Sequence, residues 1–566
     1  MQYLKGKPYF LSDADIDWVV KTRDAMTPEE KIGQLFCTVG YTADETALVR
    51  MAKDLAVGGM MCRPMPGREV VETVSLLQKN AKVPLLIAAN LEAGGNGGAV
   101  DGTRIGCEMM VAATGNVETA SRLGTVCGRE GAAVGINWAF APVIDIDYNF
   151  RNPITNTRTF GSDPERVKQM GAAYVTAVQA QGVAASIKHF PGDGVDERDQ
   201  HLVTSVNSLS VEEWDATFGK AYESSIEAGA MTVMVGHIAQ PAYSKLLNPA
   251  LKDEEILPAT LSRELVTGLL RGKLGFNGLI VTDASTMAGM TIPMHRAKAV
   301  PAAIAAGCDM FLFTRNLEED FRYMKQGVED GTISPERLTD ALTRILGIKA
   351  ALGLHHKNNV PDIDKVGEIL SCAEHVQWAK ECTDDAITLV KEEKGVLPLS
   401  PAKTKRVMLY PIEANLSGAF AYGPAAGVPD KVRKRFEQEG FAVTVFTPPT
   451  GMEGMMASYE DFLSRYDLIV YVANLATRSN QTTVRIEWAS PMGANVPVYI
   501  NEIPTLFISL ENPYHLLDAP RVKTYINTYG SSDVVLDVLM DKLTGRSAFK
   551  GKSPVDAFCG KWDTRL

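Results

Sequence analysis

The chain has 566 residues, 45% hydrophobic and 22% charged, a composition that describes a globular protein too long for one core and divided into two or three domains. Its formal net charge of −11 argues against polyanionic partners, nucleic acid and anionic membrane alike. No run of about 18 apolar residues offers a membrane span, residues 1–17 lack a secretory apolar core, and the eight cysteines lack CxxC spacing, so the expectation is a cytoplasmic protein with buried thiols and neither a disulfide framework nor a zinc site.

An amphipathic helix is expected over residues 15–23. Thr27-Pro28-Glu29-Glu30 then reads as an N-cap, a first-turn proline and an acidic first turn. From there to about residue 315 short apolar runs recur at 32–39, 58–62, 84–89, 136–146, 183–189, 231–237, 278–283 and 308–313. Helix-length amphipathic segments separate most of them, among them 68–79, 116–133, 164–181 and 211–228. Eight strands alternating with helices predict an α/β fold, a (β/α)8 barrel over residues 1–354, closure being favoured over an open doubly wound sheet. Residues 355–368 read as a linker, and residues 369–566 as a smaller α/β sandwich with a mostly parallel sheet. Its expected helix covers 366–384, a strand and turn follow over 387–399, and further strands are expected at 407–412, 442–446, 468–473, 505–510 and 524–529. The Gly-rich stretch 418–427 has neither GxGxxG nor a P-loop lysine and reads as a loop.

The expected barrel strands end in polar residues. Asn90 and Glu92 follow the third, Asp145 and Asp147 end the fourth, Lys188 and His189 the fifth, His237 the sixth and Asp283 the seventh. Carboxyl ends of barrel strands form the active-site face, so these side chains are expected in one pocket. After Lys188-His189 the chain is broken by Pro191, Gly192 and Gly194 into a loop ending in Asp199-Gln200-His201. The chemistry these types allow is nucleophilic. A strand-end carboxylate, Asp283, could attack an electrophilic carbon. His201 could exchange a proton near neutrality, and Asp199, two residues earlier, could hold its tautomer. An isolated Asp-x-His in a loop is more ordinarily a solvated pair.

The motifs carry a resemblance. Lys188-His189-Phe190-Pro191-Gly192 with Asp199-Gln200-His201, Phe140-Ala141-Pro142-Val143-Ile144-Asp145, Arg158-Thr159-Phe160-Gly161-Ser162-Asp163-Pro164, and Leu257-Pro258-Ala259-Thr260-Leu261-Ser262 followed by Leu274-Gly275-Phe276-Asn277-Gly278 and Thr282-Asp283 are similar to segments of glycoside hydrolase family 3. The signature loop resembles its β-N-acetylglucosaminidase branch. The resemblance covers residues 25–350 densely, and Ala386-Ile387-Thr388-Leu389-Val390 to Leu397-Pro398-Leu399 resembles the start of the family's second domain.

This resemblance implies a retaining exo-β-N-acetylglucosaminidase in which Asp283 forms a glycosyl-enzyme intermediate and His201, oriented by Asp199, is the acid/base. It places Asn90, Glu92, Arg158, Lys188 and His189 on the sugar. Asn90 stands where the family usually has Asp, and Asp193 where His is common. Small glycans bearing N-acetylglucosamine, from cell-wall recycling or chitin, are the implied substrates, with no cofactor and no metal. Dimer formation and lidding of the pocket are both open as the second domain's task. Gly192 and Gly194 suggest a loop that moves to fold His201 over the sugar. One chemical alternative stays open: a neutral histidine does not repel an anion as a carboxylate would, so phosphate could replace water and make the enzyme a β-N-acetylglucosaminide phosphorylase. Two further readings are a metal-dependent barrel hydrolase using Asp193, Asp196, Asp199 and His201, and a non-catalytic sugar-binding protein.

Overall fold

The computed structural model describes residues 1–40, 44–356, 359–413, 427–448, 458–488 and 493–566; residues 418–426 of the Gly-rich stretch and Asn358 of the expected linker lie outside them. The chain forms two compact units. The first comprises Met1–Ile105, Val117–Asn149 and Asp163–Val376, the second Gly106–Asn116, Phe150–Ser162 and Gln377–Leu566. The first therefore continues past the expected cut at 354. The reason is Glu130, whose fully buried carboxylate accepts Ser371 N–H (3.0 Å) and His375 Nδ1–H (2.7 Å) and so fixes the exit segment to the first unit.

The first unit is an eight-stranded parallel barrel: β1 Phe36–Gly40, β2 Gly59–Cys62, β3 Leu86–Ala89, β4 Trp138–Ala139, β5 Ala184–Phe190, β6 Thr232–Val235, β7 Leu279–Thr282 and β8 Phe311–Leu312. β8 pairs with β1 at Phe36↔Phe311, and a bridge at Val281↔Met310 closes the ring. Strands such as β5, buried at all seven positions, read as continuous apolar runs because helices cover the outside and side chains fill the inside. Two strands differ from expectation. The first begins later, because the capping box of Thr27 and Glu30 starts a helix, Pro28–Gln34, that uses residues 32–34. The fourth shrinks to Trp138–Ala139, since Pro142 has no N–H to give a ladder; the chain then runs irregularly to a bridge at Val143↔Lys188.

Helix Pro335–Ala351 lies across the amino-terminal ends of the strands. Arg337 pairs with Asp309 just before β8, Arg344 bonds the Asn277 carbonyl before β7, and Lys349 donates to Gln34 before β1 at 2.7 Å.

The second unit holds a six-stranded mixed sheet: β9 Thr388–Lys391, β10 Arg406–Glu413, β11 Ala442–Val445, β12 Leu468–Asn474, β13 Thr505–Ser509 and β14 Thr524–Asn527, in the order β9-β14-β13-β12-β10-β11. All pairs are parallel except β9 with β14. Tyr410, Tyr471, Phe507 and Tyr525 stack across four neighbouring strands at centroid spacings of 4.6, 5.8 and 5.3 Å, an aromatic ladder on one face. The expected helix at 366–384 breaks into Val366–Ile369 and Ala373–Ala386, with Ser371 left-handed at φ 50° between them. The segments Gly106–Asn116 and Phe150–Ser162 join this unit through Cys107 Sγ on the Tyr529 carbonyl (3.2 Å), Asn156 on Asn512 (3.3 Å) and Ser162 N–H on the Pro554 carbonyl (3.1 Å). All eight cysteines are free thiols, seven of them buried. Among the described residues no helix is long and apolar enough to cross a membrane.

Candidate active site

β5 sets the geometry. Its register against β6 runs Ser186↔Thr232 and Ile187↔Val233, then slips so that Phe190 faces Val235. Three residues of β5 thus advance against two of β6, and the extra residue falls at Lys188-His189. A bulge of this kind re-aims the side chains it carries. Lys188 Nζ reaches Glu92 Oε1 beyond β3 at 2.6 Å, with the lysine side chain 3% exposed. His189 is fixed from behind by Asp145: one carboxylate oxygen accepts the His189 and Asp193 backbone N–H groups (3.0 and 2.8 Å), and the other accepts Nδ1–H at 2.7 Å. Asp145 is fully buried, so this carboxylate serves as a jig. With Nδ1 engaged, Nε2 is the ring nitrogen left for a ligand.

Asp283 follows β7, half-buried, with its backbone N–H on the Val235 carbonyl at 2.8 Å. Burial pushes its carboxyl upward, but the nearby His189, His237 and His201 pull it down electrostatically and the Ala284 N–H donates to it at 2.6 Å. The net result holds it below the usual carboxylate range, and ionised. His237 is wholly buried after β6, and burial pulls its pKa below the ordinary histidine value despite nearby Asp283. Its Nε2–H donates to the Ala284 carbonyl (3.0 Å), and Nδ1 meets the Thr260 hydroxyl at 2.8 Å. Both its nitrogens are used, so His237 shapes the wall beside Asp283.

His201 and Asp199 form the expected dyad. Asp199 Oδ1 accepts both the His201 backbone N–H and Nδ1–H, each at 2.7 Å, while Asp199 is buried and His201 keeps 24% of its side chain exposed. The other loop carboxylates are occupied separately. Asp193 accepts from Gly194 N–H and Gln200, and Asp196 clasps Arg198 and caps Val206 N–H. They do not converge with Asp199 and His201 on a shared ligand point. Among the described residues the His/Cys/Asp/Glu group whose ligand atoms gather within 4.8 Å is Asp15, His355 and His356. It sits beside the helix spanning the opposite end of the barrel.

The barrel therefore brings together Asp283, His201, Asp199, Lys188, His189 and Glu92. Asn90 is exposed immediately after β3. Arg158 belongs to the second compact unit, half-buried at the end of the turn Asn156–Arg158. Asp145, His237 and Gln200 complete the site although the motif reading gave them no role in it. Asp145 and His237 were visible as polar strand ends. What joins Asp145 to His189 is a pairing 44 positions apart, which no local spacing reveals.

Comparison with known proteins agrees with this arrangement. Residues 27–348 match the glycosyl hydrolase family 3 N-terminal domain. The chain is 54% identical over 563 residues, spanning 100% of both chains, to a β-N-acetylglucosaminidase/β-glucosidase of Cellulomonas fimi. Among solved structures it resembles the β-glucoside phosphorylase BglX (46% identity, 100% of both chains, TM-score 0.93). It also resembles a family 3 β-N-acetylglucosaminidase of Paenibacillus sp. str. FPU-7 (25% identity, 95% of this chain and 100% of that one, TM-score 0.77). This chain belongs to glycosyl hydrolase family 3 and is a two-domain enzyme of glycoside hydrolase type.

Proposed function

We propose that the enzyme cleaves terminal β-linked N-acetylglucosaminides and glucosides with retention of configuration, and passes the sugar to phosphate. Asp283 attacks the anomeric carbon as His201 Nε2–H protonates the departing oxygen; the C1–O bond to the leaving group breaks and a C1–O bond to Asp283 forms. His201 is then neutral. Dihydrogen phosphate gives it back a proton while a phosphate oxygen attacks C1, releasing Asp283 and a β-configured sugar 1-phosphate. Lys188, His189, Glu92, Asn90 and Arg158 are assigned to the sugar's hydroxyl and N-acetyl groups.

The observation that carries the choice of acceptor is the dyad itself. The group that must deprotonate the acceptor is an imidazole, neutral at that moment, and its carboxylate Asp199 stands behind it, bonded to Nδ1. A carboxylate base in that place would put a full negative charge beside the incoming anion, worth roughly 4 kcal/mol at 4 Å in a partly screened site. Neutral Asn90, where the family usually carries Asp, removes another. The full-length likeness to a β-glucoside phosphorylase supports the same reading. Hydrolysis by the same residues is the second reading, supported by the name of the Cellulomonas fimi relative.

The test is to incubate p-nitrophenyl β-N-acetylglucosaminide, and the corresponding glucoside, with and without millimolar phosphate and to identify the product by NMR. Sugar 1-phosphate of β configuration, formed faster as phosphate rises, is expected. Free sugar at a rate indifferent to phosphate selects hydrolysis, and no turnover of either substrate sets the substrate assignment aside.

A further inference from the structure

The loop that carries His201 is bolted to the barrel. Gln200, fully buried, spans the gap between strand ends: its side-chain Oε1 accepts the His237 backbone N–H at 2.7 Å and its side-chain Nε2–H donates to Asp193 Oδ2 at 3.3 Å. Asp193 in turn gives its backbone N–H to Asp145. The ends of β4, β5 and β6 are thereby linked through Asp145, Asp193 and Gln200.

The loop also docks on the short helix Ala288–Thr291, directly downstream of Asp283. Gly289 N–H and Ala288 N–H donate to the Gln200 and His201 carbonyls (3.1 and 3.0 Å), and the Thr204 hydroxyl donates to the Gly289 carbonyl at 2.9 Å. A Cβ on Gly289 would lie 2.5 Å from the Gln200 carbonyl oxygen, 2.9 Å from the Val203 carbonyl oxygen and 2.9 Å from His237 Cβ. On Gly236, which has no such atom either, a Cβ would stand 3.1 Å from the Gln200 side-chain oxygen. Beyond His201, Ser205–Val206 pairs with Ile238–Ala239 as a parallel ladder. These contacts hold the loop on both sides of the dyad, whereas Gly192 and Gly194 alone suggest a hinge.

We propose that Gln200 is a positioning residue for the acid/base step, and that Gly289 provides the close seat on which Gln200 and His201 rest, so that the dyad stands over Asp283 as part of the fold. This rests on the reading of His201 as the acid/base. Preorganisation of this kind removes the ordering cost of loop closure from each turnover, and misplacement by about 1 Å would cost on the order of 100-fold. Gln200 touches no reacting atom. It acts through the backbone it fixes.

The experiment compares Gln200→Ala, Gly289→Ala and His201→Ala with the parent chain on two glycosides of the same sugar. One carries a p-nitrophenolate leaving group, which departs with little protonation; the other carries an alkyl leaving group, which needs an acid. Compared as kcat/KM, which ends at the glycosyl-enzyme and so leaves out the later step in which His201 takes the acceptor's proton, the expected pattern is a loss of about 10- to 100-fold on the alkyl glycoside and less than about threefold on the aryl glycoside for Gln200→Ala and Gly289→Ala, a smaller copy of the His201→Ala pattern. Retained aryl glycoside turnover shows in the same data that the variants are folded. Equal losses on both substrates, or none, for Gln200→Ala and Gly289→Ala while His201→Ala discriminates, overturn the positioning role. A His201→Ala enzyme that does not discriminate overturns the acid/base reading and the proposal with it.

Discussion

The two ends of the barrel both bury charge, and they treat it in opposite ways. At the amino-terminal end Asp309 is wholly buried with Arg271 at 2.6 Å and Arg337 on its two oxygens and the Ile280 N–H at 2.8 Å, while Arg344 meets Asp340 at 3.1 Å. Each carboxylate oxygen there points at a cation, and the result is a closed network. At the carboxyl-terminal end Asp145 and Asp199 are just as buried, but each spends itself on one face of an imidazole. What they leave is Nε2 of His189 and of His201, and both histidines help hold Asp283 ionised. A buried charge whose partners close around it is scaffolding. Buried charges arranged so that one reactive atom of each remains for a ligand make a site.

This contrast can be broken at several points. Asp283→Asn carries the largest expected effect: a fall in turnover of about 10⁴-fold or more, the scale seen when a covalent-chemistry group is lost, with the thermal midpoint unchanged or slightly lowered, because the folded chain favours the ionised carboxylate that is removed. Steady-state kinetics beside a melting curve check both halves. Asp145→Asn comes next. Asparagine keeps only one acceptor oxygen, so either Nδ1–H of His189 or the backbone N–H pair of His189 and Asp193 loses its partner; about 100-fold in kcat is expected from the displaced imidazole, and a drop below threefold would show that Asp145 is mere support.

At the other end the same kind of substitution should affect stability alone. Asp309→Asn strands Arg271 and Arg337 and should cost about 3–5 kcal/mol in denaturant unfolding, while the activity of the folded fraction stays at the parent level. The smallest effect concerns Lys349, wholly buried with Gln34 Oε1 accepting from it and pushed by burial down to about 7 from 10.5. The unfolded chain therefore binds a proton that the folded chain does not between pH 7 and 10.5, so this lysine's penalty is full below pH 7 and fades as pH rises. Lys349→Met should be more stable than the parent near pH 7, and the two unfolding curves should draw together as pH approaches 10.5. A gap that widens with pH would refute the assignment.

How far the sequence reaches is plain from the same residues. The barrel was legible because each strand is an apolar run separated from the next by an amphipathic helix, and the dyad because Asp199 and His201 are two apart. Contacts set by the closed barrel were not. Glu92 meets Lys188 across 96 positions and Asp145 meets His189 across 44; both pairings depend on the bulge at the end of β5, which exists only as a mismatch between two strands. The loop of residues 191–201 shows the reverse limit. Its glycines speak for mobility locally, but Gln200 and Gly289 oppose it through partners that the local pattern does not contain. The second compact unit takes Gly106–Asn116 and Phe150–Ser162 from between barrel strands, an exchange that leaves no mark on hydrophobic periodicity. Arg158 travels with it.

The proposed chemistry turns on a covalent bond between Asp283 and the sugar. The direct test is to expose the enzyme to a 2-deoxy-2-fluoro glucosyl donor with a good leaving group, measure the intact mass, and map the labelled peptide. One sugar per chain on the peptide containing Asp283, discharged more quickly by phosphate than by buffer, is the predicted result. No adduct, or an adduct on another carboxylate, would contradict it.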